Sequence, residues 1–141
     1  MNKLYQYLQG EWRFYRTIDP HGHAQGIAQF SPMDNQENCL YYQEHGQFFQ
    51  NEQQHFKMQR DYIYVCVENT IDIFHARTGI QGDFFLKVVF ESHTTAAIAT
   101  HLCQQDLYQA TFSLINEQTF QIEYRVNGPK KNYLIHTKYQ K

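Results

Sequence analysis

The chain has 141 residues, a formal net charge of −2 and a composition that is 42% hydrophobic and 16% aromatic. This length suits one domain over residues 1–141, and the charge argues against the basic surface that nucleic-acid binding requires. The three cysteines lack C-x-x-C spacing, so they favour neither a disulfide framework nor a zinc ribbon and fit a reducing, cytoplasmic location.

The first predicted element is a short N-terminal helix. Leu4, Tyr7 and Leu8 have helical spacing, and Gly10 follows as a stop signal. We expect this helix to cover one end of the fold. The same segment has no apolar run long enough for a signal peptide or a membrane span, so we expect no membrane partner.

From Trp12 onward, apolar residues recur with a period of two, which is typical of β-strands. Turn residues separate these runs. His45-Gly46 is interpreted as a tight hairpin turn, 78–83 as a loop and 127–132 as the last turn. The predicted strands are 12–18, 27–30, 40–42, 56–60, 62–67, 71–75, 84–90, 96–103, 107–114, 120–126 and 133–139.

This succession of about ten short strands predicts an all-β fold. Up-and-down closure is the usual way in which such a run removes its exposed sheet edges. We therefore predict a single antiparallel up-and-down barrel, with the short helix at one end.

A cluster of polar residues lies where the barrel should point apolar side chains inward. If Gln104-Gln105 closes a hairpin, antiparallel pairing sets Cys103 opposite Asp106 and His101 opposite Tyr108. These four side chains would then share one face. Buried polar groups cost free energy unless they are paired or used, so this face is the best indication of a functional site.

Four further strands carry a charged or imidazole group among apolar residues of the same face: Arg16, Glu44, Arg60 and His75. Buried charges must be neutralised, so we expect these groups to pair inside the barrel. A structural ion-pair network at the barrel ends and a functional site are both consistent with this pattern.

Two kinds of chemistry at this face remain open. His101 and Cys103, with His75 or Asp106, could supply three or four metal ligands. Cys103 could also be a nucleophile activated by His101, although a packed thiol explains the same residue.

Three motifs connect the chain to a known family. They are F-H at Phe74-His75, H-x-C-x-x-D-x-Y at 101–108 and V-x-G-P-x-K-x-Y at 126–133. In this order they resemble an uncharacterised family classed as a domain of unknown function, in which Gly-Pro usually stands where this chain has Gln104-Gln105. Gly10-Glu11-Trp12 also resembles the G-x-W that opens the first strand of lipocalins.

The resemblance implies a calycin-like barrel, similar to lipocalins, fatty-acid-binding proteins and nitrobindins, and it implies no established activity. We carry over as candidate site residues those that match the family's pattern. They are Arg16, Glu44, Arg60, Tyr62, His75, His101, Cys103, Asp106, Tyr108 and Lys130. Lys130 could meet an anionic ligand at the barrel rim or be a solvated turn lysine.

Three functions are consistent with these residues. The leading one is binding of a small, partly apolar molecule with an anionic or hydrogen-bonding head, because small barrels enclose one ligand among apolar walls with a few polar groups. The second is an enzyme of the cyclase, isomerase or hydratase type, with His101 as a base oriented by Asp106. The third is haem binding with His75 or His101 as the axial ligand.

Overall fold

The structure, a computed structural model, describes residues 3–103 and 105–141, with the side chains of Leu102 and Cys103 outside that description. The described residues form one helix and ten strands. The elements are α1 (Lys3–Leu8), β1 (Gly10–Asp19), β2 (Gly22–Pro32), β3 (Cys39–Phe49), β4 (His55–Val67), β5 (Thr70–Arg77), β6 (Ile80–Val89), β7 (Ala96–Cys103), β8 (Asp106–Asn116), β9 (Thr119–Asn127) and β10 (Asn132–Gln140).

The strands form one antiparallel sheet that curls into a nearly closed barrel. Their order is β6-β5-β4-β3-β2-β1-β10-β9-β8-β7, so strands that are consecutive in the chain pair with each other except β6 and β7, and β1 also pairs with β10. The edge strands β6 and β7 lie side by side, and the described backbone forms no hydrogen-bonded ladder between them. The predicted all-β, up-and-down barrel is confirmed.

One end of the barrel is closed by the helix α1 and a cluster of aromatic rings. Leu4 and Leu8 are buried against the barrel core. The Trp12 indole N–H donates a hydrogen bond of 2.9 Å to the Leu8 carbonyl, and its ring meets the Phe120 ring edge-on with centroids 4.7 Å apart. The prediction that the helix covers one end is confirmed.

The predicted turn at His45-Gly46 is wrong, because β3 continues through both residues to Phe49. Gly46 pairs directly with Gly26 of β2. A Cβ atom at Gly26 would lie 2.1 Å from the His45 carbonyl oxygen, and one at Gly46 would lie 2.3 Å from the Gln25 carbonyl oxygen. The glycine therefore permits a close approach of two strands, and it does not reverse the chain.

The predicted break between 56–60 and 62–67 is also wrong, because β4 runs unbroken through Arg60 and Asp61. Arg60 is the cross-strand neighbour of Glu44, and the Asp61 carboxylate accepts a hydrogen bond from the Tyr41 hydroxyl. Because each charged group has a neighbour of suitable chemistry, a strand can carry both where the sequence pattern indicates an interruption.

The predicted loop at 78–83 is shorter in the structure, since β6 already begins at Ile80. Thr78 and Gly79 both have positive φ, of 48° and 82°. Positive φ at both central residues is the geometry of a type I′ hairpin turn, which needs only two residues.

The close approach of β2 and β3 predicts that Gly46→Ala is destabilising. The added methyl would collide with the Gln25 carbonyl and would also lie 3.0 Å from the Phe14 ring, so we expect a loss of about 2–3 kcal/mol in the free energy of unfolding. Urea denaturation measures this loss. His45→Ala, at an exposed neighbour, is the control. A Gly46→Ala protein as stable as the control would contradict this account of the strand pairing.

Candidate functional site

The centre of the barrel contains a buried ion pair between β1 and β3. Arg16 donates two parallel hydrogen bonds to the Glu44 carboxylate, from Nη1 to Oε2 at 2.7 Å and from Nη2 to Oε1 at 2.9 Å. The two side chains are 5% and 1% exposed. Of the four groups that the sequence predicts to pair inside the barrel, Arg16 and Glu44 do so, with the bidentate geometry in which such a pair is strongest. The prediction is wrong for Arg60 and His75, which are exposed and belong to none of the ion pairs among the described residues.

Hydroxyl groups complete the hydrogen bonding of this pair. Arg16 Nε donates to Thr137 Oγ1 at 2.8 Å, and the Tyr42 hydroxyl donates to Glu44 Oε1. The Tyr42 and Tyr139 hydroxyl oxygens are 2.9 Å apart. Since the Tyr42 proton is directed at Glu44, Tyr139 is the donor in that second bond. The network joins β1, β3 and β10 across the lumen.

The surroundings keep both members of the pair charged. Burial by itself would raise the pKa of Glu44, but the hydrogen bonds and charge of Arg16, with help from Tyr42 and Arg60, lower it below its usual value. For Arg16, burial would lower the pKa, but the hydrogen bond to Glu44, together with the electrostatic effects of Tyr139, Glu44 and Tyr42, more than compensates, so the pKa of Arg16 is raised.

A small hollow of about 30 Å³ lies beside the pair. Since one water molecule needs about 10–15 Å³, such a hollow holds about two waters. The rest of this part of the lumen is filled by tyrosine and aliphatic side chains. The polar groups that face the hollow include Arg16, Glu44, Arg60, Tyr62, Tyr64 and Tyr124.

The open end of the barrel is occupied by a cluster of rings centred on Phe85, which we call the mouth cluster. The Phe85 ring lies 4.8 Å from His75, 6.0 Å from His101 and 6.5 Å from Tyr108, centroid to centroid. It is nearly parallel to Tyr62 on one side and to Tyr124 on another, each at 6.1 Å. The structure therefore brings together four of the predicted site residues: Tyr62, His75, His101 and Tyr108.

Phe85 itself was missed by the sequence analysis. The register of β5 and β6 pairs Ile73 with Leu86 and Phe74 with Phe84, which leaves Phe85 as an extra residue. Such a β-bulge redirects a side chain, and here Phe85 and its neighbour Leu86 both pack against the core. The only signal in the sequence is the doublet Phe84-Phe85, which breaks strict alternation.

The predicted register of the β7–β8 hairpin is confirmed, because His101 pairs with Tyr108 and Cys103 with Asp106. The Asp106 carboxylate, however, lies 3.4 Å from the Lys131 amine and packs against Gly128 so closely that a Cβ there would meet Asp106 Oδ1 at 1.9 Å. Among the described residues no hydrogen bond links Asp106 to His101, so their action as an acid-base pair stays a prediction.

The lysine that contacts Asp106 is Lys131, whereas the predicted Lys130 is exposed at the same turn. The nearby Tyr108 phenol and then the Asp106 carboxylate raise the pKa of Lys131. Contacts with Asp106 therefore explain the glycine and the lysine of the G-P-x-K motif. Gly128 leaves room for the carboxylate, and the lysine pairs with it.

Metal and haem have little support in this geometry. The part of the chain that the structure describes contains no group of three or more His, Cys, Asp and Glu side chains placed to hold a metal ion, and the predicted ligand Cys103 lies outside the described side chains. The hollow of about 30 Å³ is far too small for a haem. No helix within residues 3–103 or 105–141 is long and apolar enough to cross a membrane.

Comparison with known proteins agrees with the resemblance read from the motifs. Residues 8–141 match the family of unknown function DUF6314. The chain belongs to this family. No curated protein matches the chain by sequence.

Solved structures with the same fold as this DUF6314 protein share little sequence with it. The S-type phycobiliprotein lyase CPES from Guillardia theta has a TM-score of 0.63 at 8% identity, covering 97% of this chain and 88% of the lyase. The barrel EF1p2_mFAP2b bound to DFHBI has a TM-score of 0.56 at 12% identity, covering 100% and 98% of the two chains. A redesigned beta barrel has a TM-score of 0.55 at 14% identity, covering 100% and 96%.

The buried pair predicts that Glu44→Ala is strongly destabilising, since it leaves the Arg16 guanidinium buried without its counter-charge. We expect a loss of about 3–5 kcal/mol in the free energy of unfolding, measured by urea denaturation at pH 7. The control is Glu123→Ala, because that carboxylate is 42% exposed and lies 3.9 Å from Arg125, so its loss should change stability by less than about 1 kcal/mol. Equal effects of the two substitutions would contradict the role of the pair.

The lowered pKa of Glu44 predicts an acid-sensitive barrel. A carboxylate whose pKa is lower in the folded state stabilises the fold above its unfolded pKa of about 4.3, and this contribution is lost as the pH falls through the folded value. We expect the free energy of unfolding to decrease as the pH falls below about 4.3, and we expect a smaller decrease in Glu44→Gln. Parallel pH profiles for the two proteins would be inconsistent with this assignment.

Proposed function

We propose that this protein binds a small, partly apolar molecule with an anionic or hydrogen-bonding head at the open end of the barrel. The observation that carries this proposal is the position of the mouth cluster directly over the polar hollow. Tyr62 and Tyr124 belong to both, because they line the hollow and flank the Phe85 ring. A ligand that enters between them meets aromatic walls first and polar groups beneath.

Arg60 supplies the charge that recognises the head. It is exposed, it lines the hollow, and none of the ion pairs among the described residues includes it. Its cross-strand neighbour Glu44 already accepts bonds from Arg16 and Tyr42. The Arg60 guanidinium is therefore available to an anionic group that arrives from solvent.

Phe85 acts as a replaceable plug. Its ring is half-buried and comes from a bulge, where strand pairing constrains the backbone less than elsewhere in β6. If this ring turns outward, it vacates a slot among Tyr62, His75, His101, Tyr108 and Tyr124. The ligand then occupies the space that the ring has left, which explains how a barrel with a filled lumen can bind a guest.

Barrels of this fold support the proposal by analogy. One similar structure is described as bound to DFHBI, and another is described as a phycobiliprotein lyase. The first description names a small molecule held by a barrel of this fold. The placement of this protein among calycin-type ligand-binding barrels is part of the same proposal.

The test uses 8-anilinonaphthalene-1-sulfonate, an anionic aromatic dye, in fluorescence titrations of the full chain. We expect the dye to bind and Arg60→Gln to weaken binding by about tenfold or more, because a hydrogen bond to a charged group is lost. Phe85→Ala should strengthen binding, because the competent state no longer requires the ring to move.

Phe84→Ala is the matched control, since the Phe84 side chain precedes Phe85 in β6 and is 47% exposed. It should leave dye affinity unchanged. No dye binding, or binding that responds to Phe84→Ala and ignores both Arg60→Gln and Phe85→Ala, would overturn the proposal.

A further inference from the structure

The hollow beside the buried pair has more hydrogen-bond donors than acceptors. The Glu44 carboxylate already accepts three hydrogen bonds, two from Arg16 and one from Tyr42. The Tyr64 side chain faces the same hollow and is only 3% exposed. None of the hydrogen bonds of the described residues involves its hydroxyl group.

The Tyr64 side chain lines the hollow, so its hydroxyl proton can be offered to an acceptor that enters there. Tyr64 is a phenol at neutral pH, because burial and then the neighbouring phenols of Tyr124, Tyr139 and Tyr62 raise its pKa well above the usual value. Burial and the Tyr62 phenol have the same effect on the pKa of Tyr124. Both hydroxyls therefore present protons that a ligand could accept.

The charges around the hollow also favour an acceptor. Arg16 and Glu44 neutralise each other, while Arg60 adds a positive charge with no counter-charge among the described ion pairs. The site thus has one surplus positive charge and unused O–H and N–H donors. A group with one negative charge would neutralise the surplus positive charge and accept hydrogen bonds from the unused donors, whereas a cation would do neither.

The size of the hollow selects among anions. A hollow of about 30 Å³ favours a small head such as a carboxylate. A phosphate or sulfate ester presents three oxygens around a larger central atom. The hollow would have to expand to take either of them.

The slot above the hollow selects the shape of the rest of the ligand. Phe85 is inclined by 15° to the Tyr62 ring and by 23° to the Tyr124 ring. A flat aromatic ring that replaces Phe85 would keep these nearly parallel contacts, which aromatic pairs prefer in an offset arrangement. A flexible alkyl chain would fill the same volume without them.

We propose that the ligand is a planar aromatic monocarboxylic acid, with its ring in the Phe85 slot and its carboxylate in the hollow between Arg60 and Tyr64. This inference rests on the proposed function, since it requires a ligand to enter the open end. It adds the chemical class of the ligand and the residue, Tyr64, that recognises its head.

The test is calorimetric titration of the full chain at pH 7 with 2-naphthoate, naphthalene-2-sulfonate and octanoate. We expect 2-naphthoate to bind at least about tenfold more tightly than either other probe. Tyr64→Phe should weaken 2-naphthoate binding by about tenfold, the effect of losing one hydrogen bond to a charged group, and should leave naphthalene-2-sulfonate unchanged. Tyr15→Phe, on a ring that is 50% exposed, is the control.

Tyr64→Phe should fold normally, because the hydroxyl that it removes takes part in none of the described hydrogen bonds, and an unchanged Tm checks this. Equal affinities of the carboxylate and the sulfonate, or an unchanged 2-naphthoate affinity in Tyr64→Phe, would overturn the inference. If anilinonaphthalene sulfonate binds in the Arg60-dependent manner described above and 2-naphthoate does not bind, the inference fails while the proposed function stands. If neither binds, both fail.

Discussion

The buried ion pair between Arg16 and Glu44 is the constraint on which the rest of the structure depends. Two charges removed from water destabilise a fold unless each is fully paired, and the barrel meets this condition with one bidentate interaction and hydroxyl groups from Thr137, Tyr42 and Tyr139. The network fixes the relative positions of β1, β3 and β10. It also determines which hydrogen-bond donors around the hollow are not used within the network.

The pair divides the barrel into two parts with different properties. Toward the helix, the interior is apolar and tightly packed around Trp12, Phe30 and Phe120. The ring centroids of Trp12 and Phe120 are 4.7 Å apart. Toward the open end, side chains are partly buried or exposed and include two imidazoles, the exposed His75 and the half-buried His101. The first part is the packed core, and the second part is where the proposed ligand would enter. Binding at the open end is consistent with this division.

The sequence predicted a good deal of this arrangement because much of the information is local. Period-two alternation indicated the strands. Counting antiparallel pairs outward from a hairpin at Gln104-Gln105 gave the pairing of His101 with Tyr108, which the structure confirms. The presence of Arg16, Glu44, Arg60 and His75 on apolar faces indicated buried pairing, which the structure has for Arg16 and Glu44 alone among these four. The family was recognised from three motifs, and residues 8–141 do match it.

The errors arise where the outcome depends on a neighbouring strand. Gly46 looks like a turn residue until Gly26 is placed opposite it. In the sequence, Phe84-Phe85 looks like two strand residues whose side chains point to opposite faces. Only the register with β5 shows that Phe85 has no cross-strand partner. No single-strand pattern contains these two facts, because each is a property of pairing between segments. The lysine is a different case, because the motif V-x-G-P-x-K-x-Y at 126–133 already places its lysine at 131, and it is Lys131 that contacts Asp106.

The most direct test of the central claim is a crystal structure of the full chain grown with 2-naphthoate. The account predicts that the carboxylate lies in the hollow within hydrogen-bond distance of the Tyr64 hydroxyl and an arginine, that the aromatic ring lies between Tyr62 and Tyr124, and that Phe85 has turned outward. Electron density showing the hollow filled by water and Phe85 in its original place, with the ligand on the outer surface, would contradict it.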